Sequence, residues 1–242
     1  MPSLGRKVNN KTVFLLAGGL GTRLGKLTEQ LPKSMVPVLG NPFIHYKLKE
    51  IADQRISSVV ICAGHFSEQI MNFVEDGSKW GLNIEYSLET HQLLGTGGAL
   101  SKALKQKPVQ DFYVVYGDSL LYFDYDQLQF PSDTYAAVMA VFRGQNHHSM
   151  GNVNWNSKTG FAEYFQNPDR SLHHMDYGVS RIRTKSLLDF ADGKDVFHLG
   201  EYFEEVGKRR LLHGVEALVP FQEIGSENGL ANCEKFLLGE DR

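Results

Sequence analysis

The chain has 242 residues, with 25 lysines and arginines against 28 aspartates and glutamates, a formal charge of −3. Its 42% hydrophobic and 22% charged residues are the make-up of a folded globular protein, which excludes disorder, collagen and a coiled coil. The near-neutral balance speaks against a broad surface for nucleic acid or anionic lipid, and no apolar run nears the roughly 18–20 residues of a membrane span. The first twelve residues lack the apolar stretch of a signal peptide and read as a flexible tail, so the cytoplasm is the expected compartment. Only Cys62 and Cys233 are present, and they are expected as buried thiols rather than a disulfide.

In chain order, Val13–Ala17 is a short apolar run ending in glycines, the pattern of a buried parallel strand. Helical spacing follows over Pro42–Ala52, then a strand over Ser58–Ala63. A helix over Glu68–Val74 has Ser67 as its expected N-cap. Asn83–Leu88 reads as a strand, Gly97–Lys105 as a helix and Phe112–Tyr116 as a fourth strand. This alternation predicts βαβ units, a parallel sheet and helices on both faces. Beyond residue 130 strands dominate: Tyr135–Arg143, a hairpin of Asn152–Trp155 with Phe161–Phe165, Tyr177–Ile182 and Leu212–Leu218. Helices are expected over Glu201–Lys208 and Leu230–Leu238. No linker, repeat or low-complexity tract interrupts the chain, so a single α/β domain is expected over 13–242, with halves at 13–130 and 131–242.

The first strand runs into Gly18-Gly19-Leu20-Gly21-Thr22-Arg23. Glycines at such a bend let a backbone approach an anion and aim N–H groups at it. A P-loop is excluded, since no Gly-Lys-Ser/Thr follows. A dinucleotide fingerprint fails because Leu24 stands where its third glycine belongs, which also argues against a nicotinamide oxidoreductase. Arg23 and Lys33, on a segment shaped by Pro32 and Pro37, add two cations near the glycines and suggest a triphosphate grip.

The stretch LAGGLGTRLGKLTEQLPKSMVPVLGNPF resembles the signature of the sugar-phosphate nucleotidyltransferases, approximately LAGGxGTRLxPLTxxxPKxMxPVxGxP. The resemblance implies a Rossmann-like nucleotidyltransferase fold with a mainly parallel central sheet and a β-rich sugar-binding portion. It implies nucleotide contacts at Leu16, Ala17, Gly18, Gly19, Gly21, Thr22, Arg23 and Lys33. Lys26 departs from the family's usual proline.

Later motifs extend the resemblance. Leu94-Gly95-Thr96-Gly97-Gly98-Ala99-Leu100 is by itself either a glycine-rich helix start whose N–H groups could hold an anion or a base edge, or an ordinary helix N-terminus with Thr96 as a cap. It is similar to the family's LGTxGAL element, which implies that Glu89, Gly95 and Thr96 lie at the nucleotide. Gly117-Asp118 ends the fourth strand, where open α/β sheets bind ligands, and Asp118 is a hard donor suited to Mg²⁺. The resemblance makes it a metal ligand, with Glu223 of Glu223-Ile224-Gly225-Ser226 in the place of the family's second acidic ligand. Asp124 reads as a turn or cap, and Ser226 with Glu227 as a helix cap. Asp176-Tyr177-Gly178 and Gly151-Asn152 fall where the family lines its sugar-phosphate pocket. Gln166 stands where many relatives carry a lysine on the sugar phosphate, and Arg170 or Arg181 are alternative cations. Adjacent histidines at 147–148 and 173–174 do not have zinc-ligand spacing.

The implied reaction joins a nucleoside triphosphate and a sugar 1-phosphate into a nucleotide sugar plus pyrophosphate, with Mg²⁺ as cofactor. Arg23, Lys33 and Asp118 are the expected catalytic residues. Among subclasses the sequence looks most like short guanylyltransferases for heptose or mannose 1-phosphate. Cytidylyl, uridylyl or thymidylyl transfer and a phosphocholine-type acceptor stay open. A catalytically silent nucleotide-sugar sensor is the rival reading, motivated by Gln166 and Glu223. Oligomeric state is not legible beyond a possible homo-oligomer.

Overall fold

A computed structural model describes residues 11–19, 24–25, 28–89, 92–144, 151–167 and 172–240. Residues 1–10 of the tail expected over 1–12, with Gly21, Thr22, Arg23, Lys26, His147, His148 and Arg170, lie outside the described residues; Lys11 and Thr12 do not belong to a tail, since Lys11 pairs with Asp126 and the buried Thr12 opens β1. The strands are β1 (Thr12–Leu16), β2 (Pro37–Val38), β3 (Asn41–Pro42), β4 (Ser58–Ala63), β5 (Asn83–Leu88), β6 (Asp111–Tyr116) and β7 (Ser119–Leu120). They continue with β8 (Ala137–Arg143), β9 (Val153–Trp155), β10 (Ala162–Tyr164), β11 (His174–Arg183), β12 (Leu212–Ala217) and β13 (Gln222–Glu223). The α-helices are α1 (Phe43–Asp53), α2 (Ser67–Val74), α3 (Gly95–Gln106), α4 (Thr184–Phe190), α5 (Leu199–Lys208) and α6 (Glu227–Leu238).

One nine-stranded sheet takes strands from both halves of the chain. Its spine runs β5-β4-β1-β6-β11-β8-β12, with β9 and β10 attached to the start of β11. Within the spine β5, β4, β1 and β6 are parallel, β8 pairs parallel with β12, and β11 runs antiparallel between β6 and β8. The mostly parallel α/β architecture read from the sequence is therefore present, with β11 as the reversed strand.

Side chains along β1 alternate in destination, as strand geometry requires. Val13 and Leu15 join the core under α1 and α2, with Ile44, Leu48, Ile70 and Val74. Phe14 and Leu16 join the opposite core with Leu100 and Leu104 of α3, Leu187 of α4 and Phe203 of α5. Each buried side chain of this size contributes about 1.5–3 kcal/mol through removal from water. A third, smaller cluster holds Leu24, Val36, Val38, Phe43, Leu120, Ile224 and Cys233 together. It packs α6 onto the two-residue strands β2, β7 and β13, which are too short to persist alone.

Local differences from the sequence reading have identifiable causes. Ser67 does not cap α2: it is the first helical residue, and Phe66 precedes it in the left-handed region (φ 57°) with no side-chain cap. Thr96 does not cap α3 but lies in its first turn, with its hydroxyl accepting from Leu199 N at 2.8 Å. Asp124 caps the 3₁₀ turn Tyr125–Gln127, and Ser226 caps α6 by accepting from Gly229 N. Both cysteines are buried and unpaired, and burial pushes the Cys62 thiol up to about 12.

Candidate active site

The chain's winding places a cleft before any side chain is considered. Helices α1 and α2, which follow β1 and β4, cover one face; α3, which precedes β6, covers the other. The winding therefore reverses between β1 and β6, and ligands of open α/β sheets bind at the carboxyl ends of strands flanking such a reversal. Ala17, Gly18 and Gly19 leave β1 there, and Gly117-Asp118 leave β6. A cavity of about 640 Å³ opens at this point, lined by Leu16, Ala17, Gly18, Gly19, Lys33, Glu89, Gly95, Thr96 and Asp118. Every nucleotide residue expected from the sequence that falls among the described residues lines this one cavity.

Its floor is backbone packed at close quarters. Ala17 N donates to Cys62 O at 2.8 Å and Gly117 N to Leu16 O at 2.9 Å, continuing the ladder past the strand ends. A Cβ on Gly117 would stand 3.0 Å from Leu16 O. Glu89 closes one end of the cavity. Its Oε1 accepts from Leu94 N at 2.6 Å, while Oε2 lies against Gly18 and Gly64.

Lys33 and Asp118 are brought together by separate elements. The Pro32-Lys33 step opens a 3₁₀ turn over Lys33–Met35 that holds the lysine stem under cover, 8% exposed. Its Nζ donates to Asp118 Oδ2 at 2.6 Å. Ser119 donates to the other Asp118 oxygen at 3.1 Å. Beside Lys33, the Ser34 hydroxyl is buried, lines the same cavity and has no hydrogen-bond partner among the described residues.

The second acidic residue reaches the same corner through backbone pairing. Glu223 is registered opposite Ser119 in the β7–β13 ladder, and Ile224 N donates to the Asp118 carbonyl at 3.1 Å. Gly225 gives the glutamate room, since a Cβ there would meet Glu223 Oε2 at 2.8 Å. No group of three or more His, Cys, Asp or Glu side chains gathers as a metal site among the described residues. Two hard carboxylates, one just before β7 and one on the adjoining β13, suit a cation that keeps water and phosphate oxygens in its other positions, as Mg²⁺ does.

The glycines of α3 serve a purpose that the sequence did not disclose. Gly97 N and Gly98 N both donate to Phe197 O, at 3.0 and 3.2 Å, and Phe197 N donates back to Leu94 O. The helix N-terminus expected to face an anion is thus partly spent on another part of the chain. A Cβ on Gly97 would enter the Phe197 ring at 2.1 Å, and one on Gly98 would meet Asp195 O at 2.5 Å. Docked this way, the strap 195–198 places Val196 and His198 on the cavity wall. His198 also forms a capping box with Glu201 on α5. Polar, aperiodic sequence around residue 195 gave no sign of this role; the His198–Glu201 spacing was the available signal.

On the far side of Asp118 lies a more side-chain-built region. Strand β11 bulges between Asp176 and Ser180, where Gly178 adopts a φ of +100° and its N–H donates to Asp176 Oδ1 at 2.9 Å. Asn152 Oδ1 accepts from Asp176 N at 2.8 Å, and the Asn152 side chain also bonds the Tyr164 hydroxyl. Burial pushes the Asp176 carboxyl up to about 6, opposed by the Gly178 N–H. Tyr116 lies within electrostatic reach of both Asp176 and Asp118. Asp176, Asn152 and Gly178 thus converge, and Gly151 packs so closely on Leu172 and His174 carbonyls that no side chain fits.

Two expected acceptor contacts are placed elsewhere. Tyr177 points into the core, 1% exposed among Phe123, Phe142 and Phe221, and its hydroxyl accepts from Tyr122 N. Alternation along β11 explains this, because Tyr177, next to Asp176, must point to the opposite face of the sheet. Gln166 is exposed and donates to Glu204 of α5 at 3.2 Å. Arg181 is tied to Asp111 at 2.8 Å and stacks on Phe130.

Comparison with known proteins bears on the family and the fold. Residues 12–165 match the Nucleotidyl transferase family. The chain belongs to that family. It is 30% identical over 165 residues to the D-glycero-alpha-D-manno-heptose 1-phosphate guanylyltransferase of Aneurinibacillus thermoaerophilus, covering 58% of this chain and 70% of that one. It is 27% identical to the protein of the same description from Campylobacter jejuni, covering 81% and 86%. Among solved structures, HddC from Yersinia pseudotuberculosis complexed with GMP-PN superposes with a TM-score of 0.78 at 22% identity, over 93% of this chain and 99% of that one. The nucleotidyltransferase therefore shares its fold with HddC and its family with sugar-phosphate guanylyltransferases.

Proposed function

We propose that this nucleotidyltransferase joins GTP to a heptose or mannose 1-phosphate, giving a GDP-sugar and pyrophosphate. The observation that carries the reading is the Lys33–Asp118 pair at the mouth of a glycine-floored cavity at the sheet's switch point. The guanylyltransferases among its relatives favour the base and the sugar.

Gly18, Gly19 and Gly117 allow a nucleotide to lie directly on backbone. Glu89, with one oxygen fixed by Leu94 N and the other facing Gly18, is an acceptor that suits the N–H donors of a guanine edge. The acceptor phosphate needs no protein nucleophile, because it is itself the attacking group on the α-phosphorus. The protein's task is alignment and charge neutralisation. Lys33 brings a covered ammonium to the phosphates, and Arg23 is proposed as its companion on the departing pyrophosphate. Asp118 and Glu223 would hold Mg²⁺, which when bound polarises the phosphoryl group and neutralises its charge. Asp176, with Asn152 and Gly178 setting its direction, accepts from acceptor hydroxyls. Because GTP and sugar phosphates are intracellular metabolites, the cytoplasm is the proposed site of the reaction.

The test is pyrophosphate release with GTP, CTP, UTP, dTTP and ATP crossed against sugar 1-phosphates and phosphocholine, with Mg²⁺ or EDTA. Metal-dependent release with GTP and one heptose or mannose 1-phosphate is the expected result. Release with another pair would reassign the substrates. Silence with retained nucleotide-sugar binding would make the chain a sensor.

A further inference from the structure

Beneath Asp118 lies a charged cluster that the reaction outlined above does not use. Lys47 on α1 is wholly buried, and its ammonium donates to both oxygens of Glu50, at 3.1 and 2.9 Å. An ammonium and a carboxylate out of water are costly to retain unless their hydrogen bonds are filled. Those of Glu50 are filled by one segment. Oε2 accepts from Leu121 N at 2.9 Å, and Oε1 accepts from the Tyr125 hydroxyl at 2.5 Å. One turn further along α1, Gln54 accepts from Tyr125 N at 2.9 Å and donates to Phe123 O at 3.1 Å. Positions 47, 50 and 54 share one helix face. That face therefore grips residues 121–125 at alternating points, immediately after β7, the strand that follows Asp118.

This grip has a geometric consequence. Asp118 immediately precedes β7 and Glu223 lies on β13, strands of two residues each, which cannot fix two carboxylates by ladder bonds alone. Strand β7 is attached on one side to β13 and on the other to the segment that α1 holds. Asp118 also lies close enough to Lys47 for its negative charge to favour the buried ammonium, after the larger opposing effect of burial and the support of Glu50. Asp118 and the Lys47–Glu50 pair are thus electrostatically coupled.

We infer that Lys47 and Glu50 are positioning residues that set the separation of Asp118 and Glu223 for a divalent cation, acting through Leu121 and Tyr125. The inference rests on the proposed role of those two carboxylates. Lys47 keeps Glu50 aimed, Glu50 holds the Leu121 amide and the Tyr125 hydroxyl, and β7 inherits its place from them.

The test uses the full chain with the nucleotide that supports turnover, and reads Mn²⁺ binding by electron paramagnetic resonance together with the half-saturating Mn²⁺ for pyrophosphate release. Thermal melting monitors folding. Lys47→Met and Glu50→Leu are expected to weaken Mn²⁺ about tenfold, the effect of losing an outer-shell partner of a metal ligand. The double variant Lys47→Met with Glu50→Gln removes both charges while its amide can still bond Leu121 N and Tyr125, and is expected to recover most of the affinity. Should the single variants fail to fold, the double variant and Tyr125→Phe carry the comparison, the latter being the weaker binder. Wild-type Mn²⁺ affinity in folded Lys47→Met and Glu50→Leu, or in Tyr125→Phe where those do not fold, would overturn the inference. Absence of Mn²⁺ binding by the unaltered chain would instead remove the reading of Asp118 and Glu223.

Discussion

The two sides of the cleft are built from different materials. The nucleotide side is main chain: Gly18, Gly19 and Gly117 at strand ends, with Gly97 and Gly98 pressed against the strap 195–198. The acceptor side is side chain: Asp176, Asn152 and Tyr164, aimed by a bulge in β11. Backbone surfaces tolerate few substitutions but read little beyond charge and shape. Side-chain surfaces can be rewritten one residue at a time. The construction is suited to a constant phosphate chemistry joined to a variable acceptor, and substitutions on the two sides should fail differently.

The largest effect is expected where the sides meet. Asp118→Asn keeps the shape and the Ser119 contact but removes the charge that Lys33 pairs with and that a cation would share. Pyrophosphate release should fall by about 10³-fold, the scale of losing one charge-stabilising group. The carboxylate is 34% exposed, so its salt bridge contributes little to folding and the melting temperature should hardly move. Turnover close to that of the unaltered chain would remove Asp118 from the reaction.

On the backbone side, Gly97→Ala separates propensity from packing. An alanine in a helix interior is ordinarily better than glycine by about 0.5–1 kcal/mol. Here the new methyl would meet the Phe197 ring at 2.1 Å, and overpacking of a core costs about 1–3 kcal/mol. Packing should win, giving a lower melting temperature and weaker nucleotide binding as Val196 and His198 are displaced. A more stable variant with unchanged nucleotide affinity would show that the strap does not depend on this glycine.

These two positions also show what the sequence could and could not disclose. The strand-helix alternation and the run from Leu16 to Phe43 were legible because local period and spacing determine them. The convergence of Lys33 with Asp118 was legible only through resemblance, since their contact depends on how the Lys33–Met35 turn packs on α1. Gly97 and Gly98 were visible, but their partner, Phe197, lies in a stretch without periodicity, so an anion cradle was the available reading. Tyr177 was misplaced for a simpler reason. Strand alternation next to Asp176 sends it into the core, which a correct register for β11 would have revealed. Gln166 faces Glu204 because α5 packs over β10, a contact with no local signature.

On the acceptor side, Asp176 makes a pH-dependent prediction. Its folded value of about 6 lies above the ordinary 3.8, so the folded chain holds that proton more tightly than the unfolded one. The resulting stabilisation is complete below about pH 4 and is lost as the pH rises through 6. Asp176→Asn should remove this slope and leave the variant more stable than the unaltered chain above pH 6, by about 1–2 kcal/mol once partial solvent access is allowed for. The same variant should bind the acceptor more weakly at pH 8 while nucleotide affinity is kept. Melting curves between pH 4 and 8 and the acceptor KM check both halves, and a pH-independent stability difference would place the charge in solvent.

The smallest expected effect is the most specific to the nucleotide side. Ser34 keeps a hydroxyl buried beside Lys33 without a hydrogen-bond partner among the described residues. An unsatisfied buried hydroxyl costs about 1–3 kcal/mol, so Ser34→Ala should leave the free protein as stable as before or slightly more so. If a phosphate oxygen satisfies that hydroxyl in the complex, the same substitution should weaken nucleotide binding several-fold. Stability and affinity then move in opposite directions, which neither a general packing defect nor a silent surface change produces. Thermal melts with and without nucleotide give the answer: a nucleotide-induced shift equal in the two proteins would mean that Ser34 takes no part in holding the phosphates, leaving Lys33 and the glycine floor to do so.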